Sequence, residues 1–323
     1  MIHRVLLILS VFLVIFPLTL EGALGDPWPS QDITLIVATN PGGGFDLTAR
    51  ATAPVIRNNL PRRVSVVVKN IPAAAGKVGF RELMKSKPDG HTVGVFDPED
   101  VTIIHITSPI EGVDAGKITW LGRLNMVPDL LVIGTKTGFK SVNDMKGKTI
   151  RFAAHRVSEI IRCQIIARGI GANIQFVNYG GTAEACLAIQ RGDCDAIAFN
   201  YASLMRQVRA SNGLLVPVFV NAPERVPGLD VPTFRELGLR MEGISSASSK
   251  VLAAPPDLPD ELRRAWEETL SKVYKDPEWA AQMNKAGMPP TPLIGKDLHE
   301  WIREAVGNLL KKTEEIKRIS EMK

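Results

Sequence analysis

Three consecutive glycines stand between an apolar run and an amphipathic run, in the segment Pro41-Gly42-Gly43-Gly44-Phe45-Asp46. Glycines leave backbone N–H groups uncovered, and the start of a helix carries partial positive charge, so such a loop suits an anion. A dinucleotide fingerprint fails here because its third glycine would fall at Leu47, and a P-loop fails because no Gly-Lys-Ser/Thr follows. Two interpretations remain open: an anion-binding loop, and a tight turn without a ligand.

A second group with chemical potential comprises His155, Glu159 and Cys163, which are four residues apart and share one face of a predicted helix. A cysteine nucleophile needs a base within hydrogen-bond reach and a lowered pKa. Two helical turns separate His155 from Cys163, which is too far for a direct pair. We therefore predict that the protein is not an enzyme and has no catalytic residues, and a Cys-dependent enzyme is the least favoured function.

The cysteines are Cys163, Cys186 and Cys194, and none has the spacing of a metal ligand set. We expect no metal site and no cofactor. Cys186 falls in a predicted helix and Cys194 opens the next strand, so the two could form a disulfide in an oxidising compartment. The alternative is that both are small buried side chains.

Short β-rich runs alternate with amphipathic stretches, which is typical of α/β units around mainly parallel sheets. Strands are predicted at 33–39, 64–69, 92–96, 130–134, 148–153, 174–177, 194–200 and 215–220. Helices beyond Asp257 are predicted at 258–275, 277–286 and 296–318. The glycine loop thus follows the first strand and precedes a helix.

The first 25 residues have the anatomy of a secretory signal peptide. A basic start ends at Arg4, an apolar run covers 5–20, and Ala23-Leu24-Gly25 offers a cleavage site. An uncleaved membrane anchor is the alternative, because the apolar run is only just short of a span. We predict cleavage and a periplasmic protein.

The chain carries 39 Lys and Arg against 34 Asp and Glu, a net charge of +5. This excess is spread along the sequence, without a basic stripe interleaved with aromatic residues. The pattern gives no support to a nucleic-acid partner.

Six short segments occur in an order shared with one family. They are Trp28-Pro29-Ser30 with the glycine loop, Lys69-Asn70-Ile71-Pro72-Ala73-Ala74-Ala75-Gly76, Pro88-Asp89-Gly90-His91-Thr92, Tyr179-Gly180-Gly181-Thr182, Gly192-Asp193-Cys194-Asp195, and Asp230-Val231-Pro232-Thr233 with Glu236-Leu237-Gly238. In these segments the chain resembles the Bug-type solute-binding proteins, the extracytoplasmic receptors of tripartite tricarboxylate transporters.

The resemblance implies an α/β, type II periplasmic-binding-protein fold, with two Rossmann-like lobes joined by crossing strands around a central cleft. The first lobe would comprise 26–121 and 244–323, and the second 122–243. Such a protein captures a small carboxylate, closes by hinge motion, and delivers the ligand to the membrane subunits of its transporter. A monomer is expected. A periplasmic sensing domain for a signalling partner stays an alternative, because its fold and cleft would be the same.

The resemblance also carries over a set of ligand-binding positions. They are Gly43, Gly44, Phe45, Asp46, Ala74 and Ala75 in the first lobe, and His155, Arg156, Ser158, Gly181 and Thr182 in the second. The sequence leaves open which carboxylate is bound.

Three departures from the family pattern bear on the ligand. Ala73 and Ala75 occupy glycine positions of the family's second loop, so either the cleft is tighter or the backbone differs. Arg156 either forks a ligand carboxylate or is exposed at a helix entry. The acidic segment 97–100 either forms a solvated rim or faces the pocket, where it would disfavour a polyanion or favour a cationic group on the ligand.

Overall fold

The computed structural model describes residues 27–154, 157–179, 181–222, 224–226, 228–239 and 247–321. The predicted signal peptide, His155 and Arg156 lie outside these ranges.

The described chain alternates strands and helices and ends in a helical tail. The strands are β1 (Ile33–Val37), β2 (Val66–Asn70), β3 (Thr92–Phe96), β4 (Thr119–Gly134), β5 (Thr149–Ala154), β6 (Asn173–Asn178), β7 (Ala196–Asn200), β8 (Leu215–Asn221), β9 (Ala247–Ala254) and β10 (Leu293–Ile294). The helices are α1 (Gly44–Asn59), α2 (Lys77–Met84), α3 (Pro98–Thr107), α4 (Val157–Ile170), α5 (Thr182–Arg191), α6 (Tyr201–Ala210), α7 (Asp260–Lys275), α8 (Pro277–Lys285), α9 (Gly295–Leu310) and α10 (Thr313–Glu321). None of them combines the length and apolar character that crossing a membrane requires.

The long strand β4 belongs to two sheets. Its first part, residues 119–128, pairs antiparallel with β9 in a sheet of order β2-β1-β3-β9-β4, and β10 pairs on its other side. Its second part, residues 129–134, lies between β7 and β8, and β7 continues to β5 and β6. The predicted α/β architecture of two lobes joined by crossing strands is confirmed, and the residue boundaries of the lobes stay a prediction.

The first lobe has a core that the helical tail completes. Trp266 of α7 and Trp279 of α8 are fully buried against α1 and the sheet. Each indole has a hydrogen-bond acceptor: Trp266 Nε1 donates to the Gly90 carbonyl at 3.2 Å, and Trp279 Nε1 donates to Thr52 Oγ1 at 3.1 Å. The tail therefore forms part of the first lobe.

Several elements differ from the sequence prediction. The acidic segment 97–100, predicted as a loop, begins α3: Asp97 is its N-cap and accepts a hydrogen bond from the Glu99 amide, and Pro98 occupies the first turn. The single helix predicted at 296–318 is two helices, α9 and α10, separated at Lys311 and Lys312. Cys163, Cys186 and Cys194 are free buried thiols, so the two-small-side-chains interpretation of Cys186 and Cys194 is confirmed.

Helices of both lobes meet behind the cleft in a cluster that we call the isoleucine seam. Helix α10 contacts α3 of the first lobe and α4 of the second, and Arg168 of α4 forms an ion pair with Glu315 of α10. The seam comprises the buried residues Ile103, Ile161, Leu309, Ile316 and Ile319, with Ile106, Ile160 and Ile165 packed against them. It joins the two lobes through apolar contacts.

The seam predicts a large loss of stability on truncation. Ile316 is 1% exposed, and Ile316→Ala should lower the free energy of unfolding by about 2–5 kcal/mol because it removes buried methyl groups and leaves a cavity. Leu310→Ala is the matched control: Leu310 is 51% exposed, so its truncation should change stability by less than about 0.5 kcal/mol. Urea unfolding measures both, and equal effects would contradict the packing described here.

Candidate functional site

A cavity of about 610 Å³ lies between the two lobes. Its first-lobe wall is formed by residues 38–45 with Pro72 and Ala75, and its second-lobe wall by Asn178, Tyr179, residues 181–184, Phe199, Ser203, Arg206 and Gln207. The volume falls within the range of small-molecule sites, roughly 300–1,000 Å³.

The glycine loop supplies the first-lobe side of this main cavity. Gly43 is the N-cap of α1 and has no side chain to bond the amides of the first turn. The start of a 16-residue helix, with its partial positive charge, therefore faces the cavity where an anion can take the capping role.

Asp46 holds the glycine loop in shape, and its buried side chain is not part of the cavity wall. Its carboxylate is 2% exposed and accepts hydrogen bonds from the Gly42 amide at 2.8 Å, Arg50 Nε at 3.0 Å and Asn70 Nδ2 at 2.9 Å. Burial alone would raise the pKa of Asp46, but these hydrogen bonds outweigh it and the pKa lies below its usual value. Asp46 is a positioning residue.

The second lobe presents a similar helix start. Helix α5 begins at Thr182, and its N-cap is Gly181, which again offers no side-chain cap. Gly181 and Thr182 both line the main cavity. Two helix N-termini, one from each lobe, thus border the same space, and their partial charges both favour an anion.

Helix α6 contributes two cavity residues that sequence reasoning missed. The buried Ser203 hydroxyl has no hydrogen-bond partner among the described residues. The Arg206 guanidinium donates to the Gly42 carbonyl at 3.1 Å across the cleft. A sequence signal for these two residues was present, because ligands of α/β sheets bind where a helix starts after a strand. Asn200 ends β7 and caps α6, and its side chain accepts a hydrogen bond from the Ser203 amide at 3.1 Å.

A second cavity of about 350 Å³ adjoins the first and shares Ala38, Thr39, Phe45 and Ala75 with it. We call it the side chamber. Its remaining walls are Ala74, Gly76, Lys77, Phe80, Phe96, Asp97, Asp100, Val101, Ile103, Ile104, Ser108 and Ser158. Thr39, whose buried hydroxyl has no partner among the described residues, stands where the two cavities meet.

The backbone at Ala74 and Ala75 keeps the conformation expected of glycines. Their φ angles are 53° and 55°, in the left-handed region, and Gly76 follows with 88°. A left-handed alanine costs about 1–2 kcal/mol. Ala74 and Ala75 adopt this conformation where both residues line the side chamber.

A buried ionic cluster lies behind the side chamber. Arg162 of α4 is 4% exposed, and its Nη2 donates to Asp100 Oδ1 at 2.8 Å. Asp97 and Asp129 lie 3.9 and 3.8 Å from the same guanidinium. Asp97 is 2% exposed, so the acidic segment is not a solvated rim.

Burial and charge shift the pKa values in this cluster. Burial raises the pKa of Asp129 to about 6, although the attraction of Arg162 opposes the shift. Burial, then the nearby Asp100, raises the pKa of Asp97. Burial disfavours the charge on Arg162, but the carboxylates of Asp100, Asp129 and Asp97 raise its pKa above the usual value.

The predicted contact residues distribute over both cavities. Gly43, Gly44, Gly181 and Thr182 line the main cavity, Phe45 and Ala75 line both cavities, Ala74 and Ser158 line the side chamber, and His155 and Arg156 lie outside the described residues. Cys163 is fully buried, and burial raises its pKa, the reverse of what a nucleophile needs.

Comparison with known proteins gives concordant matches. The model of the tripartite tricarboxylate transporter family receptor matches residues 48–318. A UPF0065 protein of Bordetella pertussis is 25% identical over 302 residues, which span 88% of this chain and 89% of that protein.

Solved structures show the same fold. The periplasmic binding protein BugD superposes with a TM-score of 0.68 at 20% identity, covering 91% of this chain and 97% of its own. An R. palustris protein solved with adipate superposes with a TM-score of 0.77 at 20% identity, covering 91% and 98%. The fold is that of two-lobed periplasmic binding proteins.

The role of Asp46 predicts a pH-dependent effect. Its folded pKa lies below the unfolded value of 3.8, so its charge stabilises the fold above about pH 4, and this contribution is lost as pH falls through the folded pKa. Asp46→Asn should cost about 1–3 kcal/mol at neutral pH, and the difference from the parent should narrow as the solution is acidified.

Urea unfolding of both proteins from neutral pH to about pH 3 measures this difference. The exposed Asp230→Asn is the control for a general change in charge. A parent–variant difference that stays constant with pH would show that the Asp46 charge does not stabilise the loop.

Proposed function

Because the chain belongs to the receptor family of tripartite tricarboxylate transporters, we propose that it binds a small carboxylate in the periplasm and delivers it to the membrane subunits of such a transporter. Proteins of this family are solute-binding receptors. The R. palustris protein of the same fold was solved with adipate, a carboxylate. Residues 1–25 would serve as the cleaved signal peptide, and the mature protein would act as a monomer.

The observation that carries this proposal is the convergence of positive partial charge on one interlobe cavity. The N-termini of α1 and α5 border it from opposite lobes, and Arg206 and the unpartnered Ser203 hydroxyl join them from α6. Helix amides, a guanidinium and a hydroxyl are all donors, which is what a carboxylate needs.

Contacts from both lobes explain how binding would be signalled. A ligand that touches the glycine loop and the start of α5 stabilises only the state in which the two are close. That closed state is what the membrane subunits would recognise. Among the residues outside the described ranges, His155 and Arg156 are proposed as further second-lobe contacts.

A thermal-shift screen against a panel of carboxylates tests the proposal directly. A true ligand at about 100 times its dissociation constant adds about 2.7 kcal/mol to the free energy of unfolding. A panel of amines and neutral sugars serves as the negative set. The proposal is wrong if no carboxylate stabilises the protein, or if the negative set does so equally.

Arg206 should matter for affinity. Arg206→Ala removes the guanidinium that lines the main cavity and should weaken carboxylate binding by about 1.5–3 kcal/mol, or roughly 10- to 150-fold, the range of a hydrogen bond to a charged group. Arg209→Ala, one turn further along α6 and exposed, should leave the affinity unchanged. Calorimetry separates the two, and equal affinities would remove Arg206 from the site.

Gly43 offers a test of the loop that leaves the fold intact. A Cβ at Gly43 would meet nothing closer than the Asn40 carbonyl at 3.6 Å, whereas at Gly44 it would lie 3.1 Å from Met288 Cε. Gly43→Val should therefore lower carboxylate affinity at least tenfold while the melting temperature stays within about 2 °C of the parent. Gly44→Val should lower both the carboxylate affinity and the melting temperature. Unimpaired binding by Gly43→Val would place the ligand elsewhere.

A further inference from the structure

The walls of the side chamber indicate the chemistry of the part of the ligand beyond its carboxylate. The chamber adjoins the main cavity, and four residues line both. Beyond that junction its walls are largely aromatic and aliphatic, with Phe80, Phe96, Val101 and Ile104 prominent among them. A ligand held at the glycine loop can extend into this chamber only by burying apolar surface.

From this arrangement, and resting on the proposed function, we infer that the ligand is a monocarboxylate with an unbranched alkyl or aryl tail. Its carboxylate lies at the glycine loop and the Thr39 hydroxyl, and its tail fills the side chamber. The main cavity alone would accept many carboxylates, so the side chamber determines specificity.

The charged groups of the chamber argue against a second carboxylate there. Asp97 and Asp100 line it together with one cation, Lys77. Both carboxylates already bind protein groups: Asp97 accepts from the Glu99 and Ser249 amides at 3.0 Å each, and Asp100 accepts from Arg162. They add negative charge without offering donors, so a dianion entering the chamber would meet repulsion.

Ala74 and Ala75, whose backbones are left-handed, also make the wall of the side chamber apolar. Glycine would take their φ angles of 53° and 55° without strain, yet the chain places methyl groups there. Both alanines line the chamber, and each carries a methyl group that glycine would lack. The strain is thus accompanied by a more apolar wall, as expected where a conformation serves a binding site.

The test compares two series of ligands on the full protein by calorimetry. Acetate, butanoate, hexanoate and octanoate differ only in tail length, and succinate and adipate match butanoate and hexanoate but carry a second carboxylate. Affinity should rise about fourfold per methylene, which corresponds to about 0.8 kcal/mol, until the chamber is full. Hexanoate should bind at least tenfold more tightly than adipate.

A variant that fills the chamber locates the tail. Ile104→Trp places a larger side chain in the chamber wall and should weaken octanoate at least tenfold while leaving acetate unchanged. His105→Trp is the control, because it places a tryptophan at the next, exposed position of α3. It should change neither the affinity for octanoate nor the affinity for acetate. If Ile104→Trp does not fold, the ligand series on the parent protein still decides the matter.

The outcomes separate this inference from the proposed function. Adipate binding as tightly as hexanoate, or affinity that does not change with tail length, overturns the monocarboxylate assignment and leaves the receptor function in place. The absence of binding by every acid in both series also overturns the monocarboxylate assignment. The proposed function is overturned only if the wider carboxylate panel of the thermal-shift screen likewise fails to stabilise the protein.

Discussion

The geometry of the cleft depends on the ion pairs that the buried guanidinium of Arg162 forms with neighbouring carboxylates. A charge removed from water destabilises the fold by several kcal/mol unless it is paired. Arg162, which lies on α4, is paired with Asp100 of α3 and Asp129 of β4. Three elements are thereby fixed relative to one another. One turn before Arg162, α4 carries Ser158 into the side chamber, and one residue before α3 stands Asp97, which caps that helix. The chamber walls are positioned by the same ion cluster that lies behind them.

The front and the back of the cleft are held by different forces. Behind it, the isoleucine seam and the Arg162 cluster join the lobes through packing and buried charge. In front, Arg206 of α6 bridges to the first lobe by donating a hydrogen bond to the Gly42 carbonyl, and Ala202 of the same helix packs into the first-lobe core. A ligand that competes for Arg206 exchanges this bridge for its own contacts.

Most strands and helices could be predicted from local patterns, because strand periodicity and the glycine loop depend only on neighbouring residues. Local patterns made the glycine loop a candidate anion site, with a ligand-free turn as the alternative, whereas Gly181 and Thr182 at the start of α5 came from the family resemblance. The structure places the loop and the start of α5 on one cavity. What could not be predicted depends on long-range contacts. Arg206 is an ordinary exposed arginine until α6 folds across the cleft. Asp97 is buried where the amide of Ser249 from β9 donates to its second carboxylate oxygen, a contact 152 residues away in sequence. Asp46 is a similar case, since its bonds to Arg50 and to Asn70 of β2 turn its carboxylate inward.

The position of β9 has a consequence for biosynthesis. This strand lies between β3 and β4 in the first sheet, although both of its neighbours leave the ribosome long before residues 247–254 are made. Pairings between segments so distant in sequence form slowly, because the chain must lose loop entropy before they contribute stability. The nascent polypeptide thus lacks the middle of its first sheet until synthesis is nearly complete.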